Sequence, residues 1–198
     1  MKKINNFKIG NTNVGEDYPP FIIAEMSANH NGKINNAFKI IDAAKKSGAN
    51  AIKIQTYTAD SMTLNSNKKN FKIDKGLWAG NTLYDLYKKA HTPKEWHKKI
   101  FDYAKSKNIL LFSTPFSIES VDLLEKLNSP AYKIASFEIN DHDLIRRVSK
   151  TKKPVIISTG MASIKEIKEA VFCAKKNNCK HLSLLYCVSG YPTPIEEI

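Results

Sequence analysis

Phe21-Ile-Ile-Ala-Glu-Met-Ser-Ala-Asn-His-Asn-Gly32 decides how the rest of the chain is read. Phe21 to Ala24 is apolar, Glu25 is a single carboxylate at the end of that run, and small polar residues follow to Asn31-Gly32. This reads as a buried strand that stops at an acidic residue and opens into a polar loop. Barrels of alternating strands and helices keep their chemistry at such strand ends. The first expectation is that the later strands copy this arrangement and surround Glu25.

Outward from this stretch a rhythm sets in. Strand 21–26 is followed by a helical pattern over 35–47, with Ala37, Ile40, Ile41 and Ala44 on one face and Gly48 as its stop. Strand 51–56 comes next, then a long connection with a helical piece over 82–90. The helix expected over 93–107 opens with Thr92 as N-cap and Pro93 as first helical residue. Strand 110–115, helix 118–127, strand 131–136, helix 141–150, strand 154–159, helix 163–177 and strand 181–187 complete the alternation. The chain then runs on to Ile198. Upstream, Phe7-Lys-Ile-Gly10 and Asn13-Val-Gly15 flank Asn11-Thr12 and predict a short N-terminal β-hairpin. Pro19-Pro20 separates it from the first buried strand, because proline cannot join a central ladder.

Apolar strands between amphipathic helices imply a parallel sheet buried on both faces. About six βα units are present against the eight that close a barrel. The α/β fold is therefore either an open sheet or a (β/α)8 TIM barrel lacking its last quarter. No G-x-G-x-x-G follows the first strand, which argues against a dinucleotide fold. Residues 1–198 read as one barrel domain that ends before strands seven and eight.

The chain of 198 residues is 42% hydrophobic and 25% charged, a globular composition. No apolar run approaches the roughly 20 residues that span a bilayer. The start, Met1-Lys-Lys-Ile-Asn-Asn-Phe-Lys, has charge without an apolar core, so it is not read as a signal peptide and a cytoplasmic location is expected. Cys173, Cys179 and Cys187 form no C-x-x-C pair, and free thiols are expected. The net charge of +12 invites nucleic acid or an anionic substrate. The lysines, however, come in pairs on helices, such as Lys45-Lys46, Lys98-Lys99 and Lys175-Lys176, and read as solvated outer faces. Nucleic acid is ranked low, and no membrane partner is expected.

Polar residues gather where the strands end. They are Glu25; Lys53 and Gln55; Ser113 and Thr114; Lys133, Ser136 and Glu138; Ser158 and Thr159; Ser189 and Tyr191. Lys53 and Gln55 are two apart on one strand and so share a face. Taken singly, each has a bland reading: a lysine reaching solvent, a hydroxyl capping a helix, Glu138 capping the helix that opens near Asp141. Two lysines inside apolar strands are different, because a buried unpaired ammonium is costly. An anion between Lys53 and Lys133 removes that cost, with Thr114, Ser136 and Ser158 completing hydrogen bonds to phosphate or carboxylate oxygens. The residues alone thus point to an enzyme for a small phosphorylated or carboxylated substrate, with Glu25 as acid, base or metal ligand.

In order along the chain, Ile-Ile-Ala-Glu-Met-Ser-Ala-Asn-His-Asn-Gly32, Ile52-Lys-Ile-Gln-Thr56, Ser113-Thr-Pro-Phe116, Ala131-Tyr-Lys-Ile-Ala-Ser-Phe-Glu138, Ile157-Ser-Thr-Gly-Met161 and Tyr191-Pro-Thr-Pro194 resemble the sialic acid synthase family. The resemblance runs from about Phe7 to the end. The loop Gly76-Leu-Trp-Ala-Gly-Asn-Thr-Leu-Tyr84 and its continuation to His97 resemble the pseudaminic acid synthase branch, and N-acetylneuraminate synthases differ there; an N-acetylneuraminate or legionaminate synthase is the alternative within the same chemistry.

The resemblance implies a transferase that condenses phosphoenolpyruvate with an N-acetylated amino sugar. For this branch the sugar is 2,4-diacetamido-2,4,6-trideoxy-L-altrose, with a divalent metal, manganese or magnesium, as Lewis acid. Matched by position, Lys53, Thr114, Lys133, Ser136, Ser158 and Ser189 fall to phosphoenolpyruvate, Gln55, Glu138 and Tyr191 to the sugar, and Glu25 to the attacking water. The family's two metal histidines come from strands seven and eight, in motifs with no counterpart here, so the resemblance puts them beyond Ile198. The small C-terminal antifreeze-like domain, through which family members form homodimers, has no counterpart either. No complete metal site and little or no activity are therefore expected of this chain alone. A fragment that binds phosphoenolpyruvate without turning it over is the alternative.

Overall fold

The computed structural model describes residues 6–190 and 193–197. Tyr191, expected at the sugar, and Ile198, beyond which the metal histidines are expected, both lie outside the described residues. The expected hairpin is present: β1 (Phe7–Ile9) pairs antiparallel with β2 (Thr12–Val14). Gly10, at φ +56°, takes the left-handed turn position that its lack of a Cβ permits.

The chain divides into two compact units, Phe21–Leu123 and the residues on either side of it. The first holds β3 (Ile23–Glu25), α1 (Ile34–Lys46), β4 (Ala51–Thr56), α2 (Ala59–Met62), α3 (Leu83–Ala90), α4 (His97–Ser106) and β5 (Leu110–Pro115), and most of α5 (Ile118–Lys126). Strands β3, β4 and β5 run parallel, with Glu25 opposite Lys53 and Gln55 opposite Thr114. Buried Ala37, Ile41 and Ala44 make one stripe of α1, and Ile100 and Ala104 one of α4. They close with Met26, Ile52, Ile54 and Leu111 into a single apolar core. Lysines in the last turns of α1 and α4 meet the negative end of the helix dipole and stay in water.

The second unit carries the hairpin, β6 (Tyr132–Ile134), α6 (His142–Ser149), β7 (Val155–Ser158), α7 (Ile164–Lys176) and β8 (Leu182–Leu185). Strands β6, β7 and β8 are parallel, with Lys133 opposite Ile156 and Ser158 opposite Leu185. Its core includes Tyr132, Ile134, Leu144, Ile145, Val148, Val155, Ile157 and Ala170. Asp141 caps α6, and Ser163 with Glu166 forms a capping box on α7. The Phe7 ring stacks on His181 at 5.3 Å, fixing the hairpin to the residue that precedes β8.

Several helix stops use asparagine where glycine is commoner. Asn108, Asn128 and Asn178 sit at φ +51°, +55° and +69°, two residues past the ends of α4, α5 and α7. Asparagine tolerates the left-handed region better than other residues with a Cβ. The chain's many asparagines therefore have local work to do.

The structure corrects four expectations. The strand expected over 21–26 pairs only across Ile23–Glu25, because Ile22 gives its N–H to the Asn50 side chain and Ser27 turns out at φ +47°. Thr92 and Pro93 do not open α4. A 3-10 turn, Lys94–Trp96, intervenes, Pro93 stays extended at ψ 137°, and the α-helix starts at His97. Ser136 is not on a strand, since β6 stops at Ile134 and Ser136–Glu138 form a 3-10 turn. Finally, β8 is not buried on both faces: Leu184 and Leu185 are 45% and 39% exposed.

Candidate functional site

Each unit places a lysine on a strand, next to a hydroxyl on the neighbouring strand. In the first unit Lys53 is ion-paired with Glu25, its register partner across β3 and β4. The Lys53 ammonium also donates to Thr114 Oγ1 at 3.3 Å, on β5. The lysine side chain is only 14% exposed and the carboxylate 39%, so the pair sits at the mouth of the strand ends. The left-handed turn at Ser27 brings its N–H to Glu25 Oε1 at 3.0 Å. Glu25 is thus held from two sides. Gln55, one register step from Lys53 on the same face, is half-buried opposite Thr114.

The expectation of an unpaired Lys53 awaiting an anion is therefore corrected: Glu25 already neutralises it. The physical reason is the parallel register, which puts the last residue of β3 directly beside the third of β4.

On the opposite face of β4 and β5 lies a second polar group. Thr56 Oγ1 is 2.6 Å from Ser113 Oγ and 2.9 Å from His97 Nε2, and all three residues are buried. Ser113, read above as a strand-end residue with Thr114, faces away from Lys53 because alternate residues of a strand face opposite ways. The period-two alternation of Ser113 and Thr114 was the available signal for this, whereas His97 carried none.

In the second unit Lys133 is 8% exposed. Its ammonium donates to Ser158 Oγ at 2.5 Å and to the Ile134 carbonyl at 3.1 Å. The Cys187 thiol donates to the same Ser158 oxygen at 3.1 Å. Gly160 closes the group. A Cβ placed there would meet Ser136 Oγ at 3.0 Å and Cys187 Cβ at 3.2 Å, and would collide with Ser189 Oγ. Ser136 and Ser189 thus face each other across a glycine that has no room for a side chain. Gly160 and Cys187 are members of this group that the sequence reading did not single out.

Glu138 completes the second unit's cluster. Burial pushes its carboxyl up to about 7, Asp141 adds to the rise, and Lys133 opposes it. Its Oε2 is buried without a hydrogen-bond partner. It does not cap α6, whose cap is Asp141. A buried carboxyl with a free oxygen beside an ammonium is poised to give or take a proton.

Among the described residues, no three histidine, cysteine, aspartate or glutamate side chains gather as a metal's ligand set requires. The described residues therefore do not fit the divalent metal by themselves. Nor is any helix among them long and apolar enough to cross a membrane.

A family model described as the NeuB family matches residues 40–198. The chain is 51% identical to the pseudaminic acid synthase of Campylobacter jejuni (serotype O:2) over 96% of its own length and 55% of that protein's. Against the N,N'-diacetyllegionaminic acid synthase of the same strain it is 37% identical, over 89% of this chain and 54% of that protein. The chain therefore spans about half the length of the curated relatives it matches. Among solved structures, the N-acetylneuraminic acid synthetase of Leptospira borgpetersenii in complex with citrate superposes with a TM-score of 0.84 at 33% identity. That match covers 98% of this chain and 62% of the other. The fold is of the TIM-barrel type, present here as parallel βα units with the small hairpin.

Proposed function

The chain belongs to the NeuB family, and from that premise we propose that it is the barrel portion of a pseudaminic acid synthase. The reaction is a condensation of phosphoenolpyruvate with 2,4-diacetamido-2,4,6-trideoxy-L-altrose. C3 of phosphoenolpyruvate bonds to the sugar's aldehyde carbon, water adds to C2, and inorganic phosphate leaves by C–O cleavage. The product is a nine-carbon 2-keto acid. The higher identity to the pseudaminic than to the legionaminic enzyme favours this branch.

The observation that carries the reading is the pairing of a largely buried lysine with a strand-end hydroxyl in each unit: Lys53 with Thr114 and Lys133 with Ser158. Ammonium and hydroxyl together offer donors to phosphate and carboxylate oxygens. In this reading Lys53, Thr114, Lys133, Ser136, Ser158 and Ser189 contact phosphoenolpyruvate. Gln55, Glu138 and Tyr191 face the sugar, and Glu25 takes the proton of the attacking water. The citrate complex of the Leptospira relative suits a family site for carboxylates. The divalent metal that the family resemblance implies is a cofactor of the proposed synthase in this reading. The cytoplasm, where phosphoenolpyruvate is made, is the proposed location.

Calorimetric titration with phosphoenolpyruvate tests the reading. The wild-type chain is expected to bind, Lys133→Ala to lose at least about tenfold in affinity, and Lys98→Ala, on an exposed helix face, to bind as wild type. Equal binding by all three proteins, or by none, would overturn it.

A further inference from the structure

Thr56, Ser113 and His97 form a buried chain of hydrogen bonds behind the Lys53 face, and the protons on it can be placed. His97 Nδ1 lies 3.0 Å from the Pro93 carbonyl, which only accepts, so Nδ1 carries the hydrogen. Burial lowers the imidazole's pKa, against the pull of the Pro93 and Lys94 carbonyls and Glu95, so the ring is neutral and Nε2 is an acceptor. Thr56 then donates to Nε2, which leaves the Thr56 oxygen as an acceptor at 2.6 Å for the Ser113 hydroxyl, whose single hydrogen also has the Ile54 carbonyl as an acceptor at 3.1 Å. The direction is Ser113 to Thr56 to His97 to Pro93, and each buried polar atom of the three side chains is used.

This relay ties three elements. Thr56 is the last residue of β4, Ser113 lies on β5, and His97 is the first residue of α4. The 3-10 turn before α4 is what aims His97 at the sheet. On the other face of the same two strands, Lys53 and Thr114 make the matching diagonal contact. Any slip of β4 against β5 would therefore move Lys53 off Thr114.

We propose that His97 is a positioning residue: through Thr56 and Ser113 it locks the end of β4 to β5 and so holds Lys53 within reach of Glu25 and Thr114. The role matters for catalysis only if Lys53 contacts the anionic substrate, so in that respect it rests on the function proposed above. The contact itself can be tested without any substrate.

The test is the rate at which a small acylating reagent modifies Lys53, read by peptide mass analysis, with melting temperatures measured in parallel. His97→Ala is expected to speed acetylation of Lys53 about tenfold, the effect of losing a charge-assisted contact. His97→Gln, whose amide oxygen can accept from Thr56, is expected to stay within about twofold of wild type. Ile100→Ala, a fully buried change on the same helix, is expected to lower the melting temperature and leave Lys53 unchanged. Acetylation that rises as much in Ile100→Ala as in His97→Ala, or in neither, overturns the proposal. Should His97→Ala not fold, Thr56→Val must give the same rise, and a wild-type rate there overturns it equally. Protection of wild-type Lys53 by phosphoenolpyruvate is scored separately. Its absence would count against the proposed function while leaving the positioning role intact.

Discussion

Glu25 and Lys53 are register partners on adjacent parallel strands, and their charged ends meet at the mouth of the sheet. Twenty-eight residues separate them in sequence, and only the parallel pairing of β3 with β4 brings them together. Lys53 reaches Thr114 at the same time, so the pair is part of a line running across β3, β4 and β5.

Glu25→Gln removes the charge and keeps the shape. The partial exposure of the carboxylate limits the stability cost to about 1 kcal/mol or less. If Glu25 takes the proton of the attacking water, as proposed, the matching substitution in a pseudaminic acid synthase similar to this chain, such as that of Campylobacter jejuni, is expected to lose about 10²-fold or more in phosphate release. Urea unfolding of this chain and a phosphate-release assay of that synthase check the two effects. A fall in stability with full activity would show that Glu25 serves only to pair Lys53.

Gly160→Ala is expected to fold and to weaken phosphoenolpyruvate binding, because the new methyl would enter the space between Ser136 and Ser189. Removing one wall should restore part of the loss. In a double-mutant cycle with Ser189→Ala, a coupling of about 0.5–3 kcal/mol is expected, measured by calorimetry. Strict additivity would place Ser189 outside the group.

Glu138 makes stability depend on pH. Its folded pKa is raised from 4.5 to about 7, so between those values the native state keeps a proton that the unfolded chain has released. The native state binds more protons, and stability therefore falls as pH rises through that window, by at most about 1.4 kcal/mol per pH unit. Glu138→Gln should flatten the slope above pH 4.5. Denaturation midpoints measured at several pH values would show it, and an unchanged slope would mean that Glu138 is not the titrating group.

The βα rhythm was legible from local chemistry. Helices announce themselves by apolar spacing, as at Ala37, Ile41 and Ala44, and they stop where Gly48 or Asn108 can take a positive φ. Strand faces follow from period two, so the sharing of a face by Lys53 and Gln55 needed no structure. The exact onset of α4 was not legible: Thr92-Pro93 has the residues of a helix start, but a 3-10 turn comes first.

By itself, then, the sequence determined that Glu25, Lys53, Gln55, Thr114, Lys133 and Ser158 stand on strands and that Lys53 and Gln55 share a face, because both depend on near neighbours in the chain. Tertiary structure alone decided the partners. Glu25 neutralises Lys53, Ser158 receives Lys133, Gly160 leaves space between Ser136 and Ser189, and His97 closes a relay on the far face of β4. Strand register and helix onset set these pairings over tens of residues. A period in the sequence encodes direction but not the neighbour met in that direction.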